Sequence, residues 1–186
     1  MSPNHRIHVV GASGSGTSTL GAALAQRLSC PFVDADDHYW RQDTPQPFRV
    51  KQAPADRVNG IRAVLTGHSR WVLSGSLYTW GQDFIPEFTL VVFLYLASEV
   101  RMARIRARER ARYGDRVRER GDMYAHSQAF LAWAADYDDT QEHSRTRYRH
   151  EQWLATLSCP VLRLNSAASV DDLLASVQGF LPEGGS

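Results

Sequence analysis

The chemistry of this chain is concentrated in one short stretch. Gly11-Ala12-Ser13-Gly14-Ser15-Gly16-Thr17-Ser18 follows an apolar run and opens a helical pattern. That is the context in which a GxxxxGK[ST] loop binds phosphate. Glycine at 14 and 16 lets the backbone turn its N–H groups inward, and a helix N-terminus adds partial positive charge. Gly11, Ser13, Gly14, Ser15, Gly16, Thr17, Ser18 and Thr19 are the expected phosphate-binding residues. The Ser18 hydroxyl is the expected Mg2+ ligand. A plain Gly/Ser turn is the bland alternative, and spacing together with context argues against it.

One position departs from the pattern: Thr17 stands where Lys is expected. A Thr hydroxyl donates a hydrogen bond but brings no charge. Either a cation from elsewhere replaces the Lys, or the site binds nucleotide without efficient transfer. The chain has one Lys, Lys51, against 20 Arg, so the expected replacement is an Arg. Residues 101–120 hold nine Arg and three acidic residues, although the whole chain has a net charge of only +1. A helix puts Arg101, Arg104, Arg108 and Arg112 on one face, with Arg106 and Arg110 roughly opposite. Such an array clamps phosphates bidentately. Any single Arg there can equally be solvated surface. For the cluster, phosphate contact is favoured, because it follows a central apolar strand and precedes Gly114 and Gly121, which can hinge a lid.

A second set of residues sits at Asp34-Ala35-Asp36-Asp37-His38. Carboxylates at the end of a strand can hold Mg2+ waters and take a proton from an attacking hydroxyl. If this stretch is extended, Asp34 and Asp36 point in different directions and serve separate roles; a polar turn is the alternative. Ser74-Gly75-Ser76 is a small-residue stretch that lets backbone approach a substrate. Tyr39, Trp40, Tyr78 and Trp80 either line a pocket or pack. His38 reads as a surface or hydrogen-bonded side chain.

These groups need a scaffold. Strands are expected at 5–10, 31–33, 70–73, 88–96 and 160–164, the fourth being apolar on both faces as a central parallel strand is. Helices are expected at 17–28, with Leu20, Leu24 and Leu28 on one face, at 55–67, from Ser98 as cap to about 112, at 122–157 in two pieces, and at 170–181 behind a Ser169 cap. Residues 34–54 read as an irregular segment. Strands alternating with helices imply a parallel sheet with right-handed crossovers, in one domain over 1–186.

Composition bounds the rest. Of 186 residues, 43% are hydrophobic and 22% charged, which is ordinary globular usage. No apolar run approaches the roughly 18 residues that span a bilayer. The N-terminus lacks a signal-peptide core, and two cysteines make no disulfide framework. A cytoplasmic protein is expected. Basic residues confined to one segment argue against a nucleic-acid partner.

With these motifs the chain resembles a small P-loop kinase of the nucleoside-monophosphate-kinase, adenylate-kinase-related type, and is similar to shikimate and gluconate kinases over about residues 5–180. The resemblance implies a three-layer α/β/α fold with a five-stranded parallel sheet and a helical lid or arm within about 112–150. It implies that ATP, with Mg2+, gives its γ-phosphoryl group to a small hydroxyl- or phosphate-bearing metabolite. Asp34 would then support Mg2+, and Asp36 would bind the acceptor hydroxyl and act as base. Phe48-Arg49 echoes a pair whose Arg holds an acceptor carboxylate, and Arg57 is a rival. Ser74, Gly75 and Ser76 fall where shikimate kinases have a glycine-rich acceptor loop, with one glycine of three kept. The lid arginine lies among 104–112, Arg104 and Arg108 being the catalytic candidates, and the nucleobase loop lies near 163–168. The alternative is a nucleotide-binding sensor with a degenerate phosphate loop.

Overall fold

A computed structural model describes residues 4–45, 48–142 and 145–181. Five short runs rich in β-branched, aromatic and leucine side chains, around residues 9, 33, 72, 92 and 163, form the strands. Strands β1 (Arg6–Gly11), β2 (Phe32–Asp34), β3 (Trp71–Ser74), β4 (Leu90–Tyr95) and β5 (Val161–Asn165) form one sheet in the order β2-β3-β1-β4-β5. Every pairing is parallel. The expected five-stranded parallel sheet is what the chain builds.

Helices α1 (Thr17–Leu28), α2 (Ala35–Tyr39), α3 (Pro54–Leu65), α4 (Ser98–Tyr113), α5 (Tyr124–Ala135), α6 (Arg147–Leu154) and α7 (Val170–Phe180) connect and cover the sheet. Successive side chains on a strand point to opposite faces, and the two cores follow that alternation. Ile7 and Val9 of β1, with Leu90, Val92 and Leu94 of β4, pack against Leu20 and Leu24 of α1 and Leu173 and Val177 of α7. Val10, Val91 and Phe93 face the other way, toward Ile61 and Leu65 of α3 and Trp153 and Leu154 of α6. A third cluster, Met102, Ile105 and Ala134 with Phe130, Leu131 and Trp133, packs α5 onto α4. Truncating a buried Leu in the central cores costs about 2–5 kcal/mol.

Two local expectations change. The stretch 34–54, expected to be irregular, contains helix α2; residues 46–47 of that stretch lie outside the described residues. Five residues are too few to show a 3.6-residue period, and the helix is held instead by Asp34, whose carboxylate accepts from the Asp36 N–H at 3.0 Å. Ser98 is the first residue of α4 and not its cap, which is Ala97. The stretch 112–150, where an arm is expected, folds as a 3-10 turn (Gly114–Val117), α5 and the start of α6; residues 143–144 there are not described. Ser169 caps α7 as expected, its Oγ accepting from the Asp172 N–H at 3.1 Å.

Candidate active site

All five strands run the same way, so their carboxyl ends lie on one edge, where open α/β sheets bind ligands. The register sets Asp34 beside Ser74, and β3 lies beside β1. That places the Asp34–Asp37 turn, the Ser74-Gly75-Ser76 stretch and the 11–18 loop next to each other.

The loop has the backbone geometry the motif requires. Gly14 has φ +81°, and a Cβ there would stand 2.8 Å from Ile105 and 2.9 Å from the Arg101 carbonyl. Only glycine fits between the loop and α4. Gly16, at φ +92°, is the N-cap of α1, and no side chain caps that helix end. The N–H groups of its first turn lack intrahelical acceptors. The Ser15 side chain is buried and donates to the Ala12 carbonyl at 2.8 Å, so it braces the loop from inside.

Two cavities meet at this loop. One, of about 500 Å3, is lined by residues 14–20, by Arg104, and by Ser166, Ala168 and Val170 beyond β5. Arg104 donates to the Ser166 carbonyl at 3.3 Å and ties α4 to that loop. The other, of about 540 Å3, opens on the far side of the loop. It takes Ser13, Asp34, Asp36, Gly75 and Ser76 in its wall, along with Lys51 and Arg145. Gly14, Thr17, Ser18, Arg108 and Arg112 line both.

Asp34 and Asp36 thus share a cavity, contrary to an extended reading, because the α2 turn brings them to one side. Burial pushes the Asp36 carboxyl above the usual carboxylate range. Arg145 and Arg108 pull against this, and Asp34 and Asp37 add to it. Ser18, a hydroxyl, and Asp34, a carboxylate, line the same cavity and are the hard oxygen donors that suit Mg2+. Tyr39, Trp40, Tyr78 and Trp80 also line it.

The arginine face of α4 divides. Arg108 and Arg112 stand over both cavities and Arg104 over one. Arg101 is withdrawn: it is 1% exposed, donates to the Ala134 carbonyl at 2.6 Å and to Asp138 at 3.0 Å, and so fastens α5 to α4. Several expected residues line neither cavity. Arg49 is exposed, Ser74 is buried in the sheet, and Arg57 is buried behind Tyr39, donating to the Gln52 carbonyl at 2.8 Å. Gly11 also stays beneath the loop.

Reading the sequence missed Arg145. It faces Asp36 and its guanidinium donates to the Gly11 carbonyl at 3.4 Å, across 134 residues of chain. The one local signal is Thr146, which caps α6 by accepting from the Arg149 N–H, so a helix start beside Arg145 was readable. Its reach to the loop was not.

Comparison with known proteins agrees with this architecture. The chain is 41% identical over 175 residues to an uncharacterized protein of Bacillus subtilis (strain 168), YqaC, covering 94% of this chain and 96% of that one. A shikimate kinase structure from Bacteroides thetaiotaomicron matches with TM-score 0.59 and 16% identity, over 95% of this chain and 97% of its own. A gluconokinase structure from Sinorhizobium meliloti 1021 matches with TM-score 0.53 and 17% identity, over 96% and 92%. No family model matches. The fold is the P-loop α/β fold of the shikimate and gluconate kinases.

Proposed function

We propose that this chain, which belongs to the same family as Bacillus subtilis YqaC, is a kinase that moves the γ-phosphoryl group of ATP to a small hydroxyl-bearing acceptor. The observation that carries the reading is the pair of cavities meeting at Gly14, Thr17, Ser18 and Arg108, with Asp36 in only one of them. A nucleotide in the first cavity would lay its phosphates along residues 14–19, and an acceptor in the second would lie beside Asp36. A nucleotide sensor has no need of the second cavity or its acid, and that reading is not favoured.

The residues divide the chemistry as follows. Amides at the start of α1 hold the phosphate oxygens, a contact that survives without Lys at 17. Mg2+, when bound, neutralises phosphate charge, with Ser18 and Asp34 as its protein ligands. Asp36 accepts the proton of the acceptor hydroxyl, and its raised pKa suits it to that task near neutral pH. The acceptor oxygen bonds to the γ-phosphorus while the bond to the bridging oxygen breaks, and ADP leaves with that electron pair. Arg108 supplies the positive charge that the phosphate-loop Lys supplies elsewhere. Arg104 flanks the nucleotide side, and Arg145 faces Asp36 and orients the acceptor end. Helix α5, fastened to α4 by Arg101, acts as the lid.

Calorimetry on the full chain tests the reading at its base. MgATP is expected to bind with submillimolar Kd, and a panel of small alcohols is expected to include one that stimulates ADP release. No binding at millimolar MgATP overturns the proposal.

A further inference from the structure

The acceptor-side cavity has walls that a polyhydroxylated acid does not need. One group of rings in its lining is Trp40, Phe48 and Trp80, carried by the segments after α2 and β3. The other is Phe130 and Trp133 of α5. All five rings are half-buried. Within each wall the rings touch: Trp40 meets Phe48 edge-on with centroids 6.4 Å apart, and Phe130 stacks on Trp133 at 6.0 Å and 25°. No ring contact joins one wall to the other among the described residues.

The walls are also held in place. Arg112 lies over Phe48 at 4.6 Å, Arg108 over Phe130 at 5.9 Å and Arg145 over Trp133 at 5.9 Å. The residues that border the reacting centre therefore set the ring positions. The same cavity also carries hydrogen-bonding side chains, Asp34, Asp36, Lys51, Ser76 and Arg145 among them, so the hydroxyl of a ligand finds partners there. Five aromatic rings in the same lining favour a flat ring as the body of that ligand, through stacking that tolerates any π-face.

We infer that the acceptor is an alcohol carried on a flat aromatic or heteroaromatic ring, held between the Trp40–Phe48–Trp80 wall and the Phe130–Trp133 wall with its hydroxyl toward Asp36. The inference rests on the kinase reading. The transfer is the one written above: the ring-borne hydroxyl oxygen gains the γ-phosphoryl group, its proton goes to Asp36, and ADP leaves.

The test uses the wild-type chain with MgATP and two matched panels. One holds ring-borne alcohols, namely nucleosides and pyridinemethanols. The other holds shikimate, gluconate and open-chain polyols. Trp40, Trp80 and Trp133 report directly through intrinsic fluorescence. At least one ring alcohol is expected to quench it saturably and to raise ADP release at least about tenfold, with the second panel doing neither. In calorimetry, Trp133→Leu is expected to weaken that ring alcohol roughly tenfold or more, and Trp133→Phe to retain most of the binding. Equal losses in both variants overturn a stacking role for Trp133. Turnover with the second panel alone, or saturable quenching by no ring compound, overturns the inference and leaves the kinase reading standing. Ring-alcohol binding without any MgATP binding overturns the kinase reading while the ring selectivity of the cavity stands.

Discussion

The two cavities are built of different material. The proposed nucleotide side is built around one contiguous stretch, residues 14–20, and closed by α4 with Arg104, Arg108 and Arg112 and by the turn after β5. The proposed acceptor side shares part of that loop and adds residues from α2, the ends of β2 and β3, α4, α5 and the turn before α6. Phosphate held by amides and a helix end is expected to tolerate substitution, because those groups carry no side-chain identity. A site made of side chains depends on each one. Losses on the acceptor side are therefore expected to appear in turnover, and losses on the nucleotide side in affinity.

The largest expected effect lies at Asp36. Asp36→Asn removes the proposed base, worth roughly 10²–10⁴-fold in rate, and should lower kcat by about 10³-fold with MgATP affinity within a few-fold of wild type. Steady-state ADP release and calorimetry measure the two separately. The pH profile sharpens the assignment. Burial raises the Asp36 carboxyl above its ordinary 3.8, and the base must be ionised to act. The wild-type rate should fall as pH drops through that raised value, and the residual rate of Asp36→Asn should lose this acid limb.

Next come two arginines seven residues apart on one helix. Arg108→Ala should cost on the order of 10²–10³-fold in kcat with little change in Tm, by analogy with other charges placed on a transferring phosphoryl group. Thr17→Lys in that background should restore part of the loss. Arg101→Ala should act the other way. It strands Asp138 and the Ala134 carbonyl under α5, and breaking a buried pair costs about 3–5 kcal/mol. Thermal melts should show a Tm lower by roughly 6 °C or more. A severe kcat loss at Arg101 with an unchanged melt would erase the division of the face.

The smallest effect is a stability slope. His8 and His150 are buried and held neutral, with pKa values lowered to about 4 and about 3 against 6.5 in the open chain. Above pH 6.5 neither state binds these protons. As pH falls below 6.5 only the unfolded chain takes them up, so stability is lost from about 6.5 down toward 4. Tm measured from pH 7.5 to 4.5 should fall across that window, and His150→Gln should flatten the slope.

Much of the molecule is legible along the chain. The phosphate loop, the Ser169 cap, the apolar β4 run and the Leu20–Leu24 stripe each depend on neighbours a few residues away, since strand alternation, helix period and caps are local. The same holds for the Asp34–Asp36 pair as chemistry, though not as geometry: its short α2 turn leaves no periodic trace. Beyond that reach the sequence is mute. Nothing within 101–112 tells Arg101 from Arg108, because they share a helix face and differ only in what another helix lays against them. Arg145 reaches the Gly11 carbonyl across 134 residues, and Arg57 turns away behind Tyr39. The rings that follow α2 and those of α5 line one cavity only once α5 has packed on α4. Backbone chemistry is specified by near neighbours and so is written in the order of residues. A side chain's neighbours are chosen by packing between distant segments, and the folded chain alone settles which arginines and rings meet at the site.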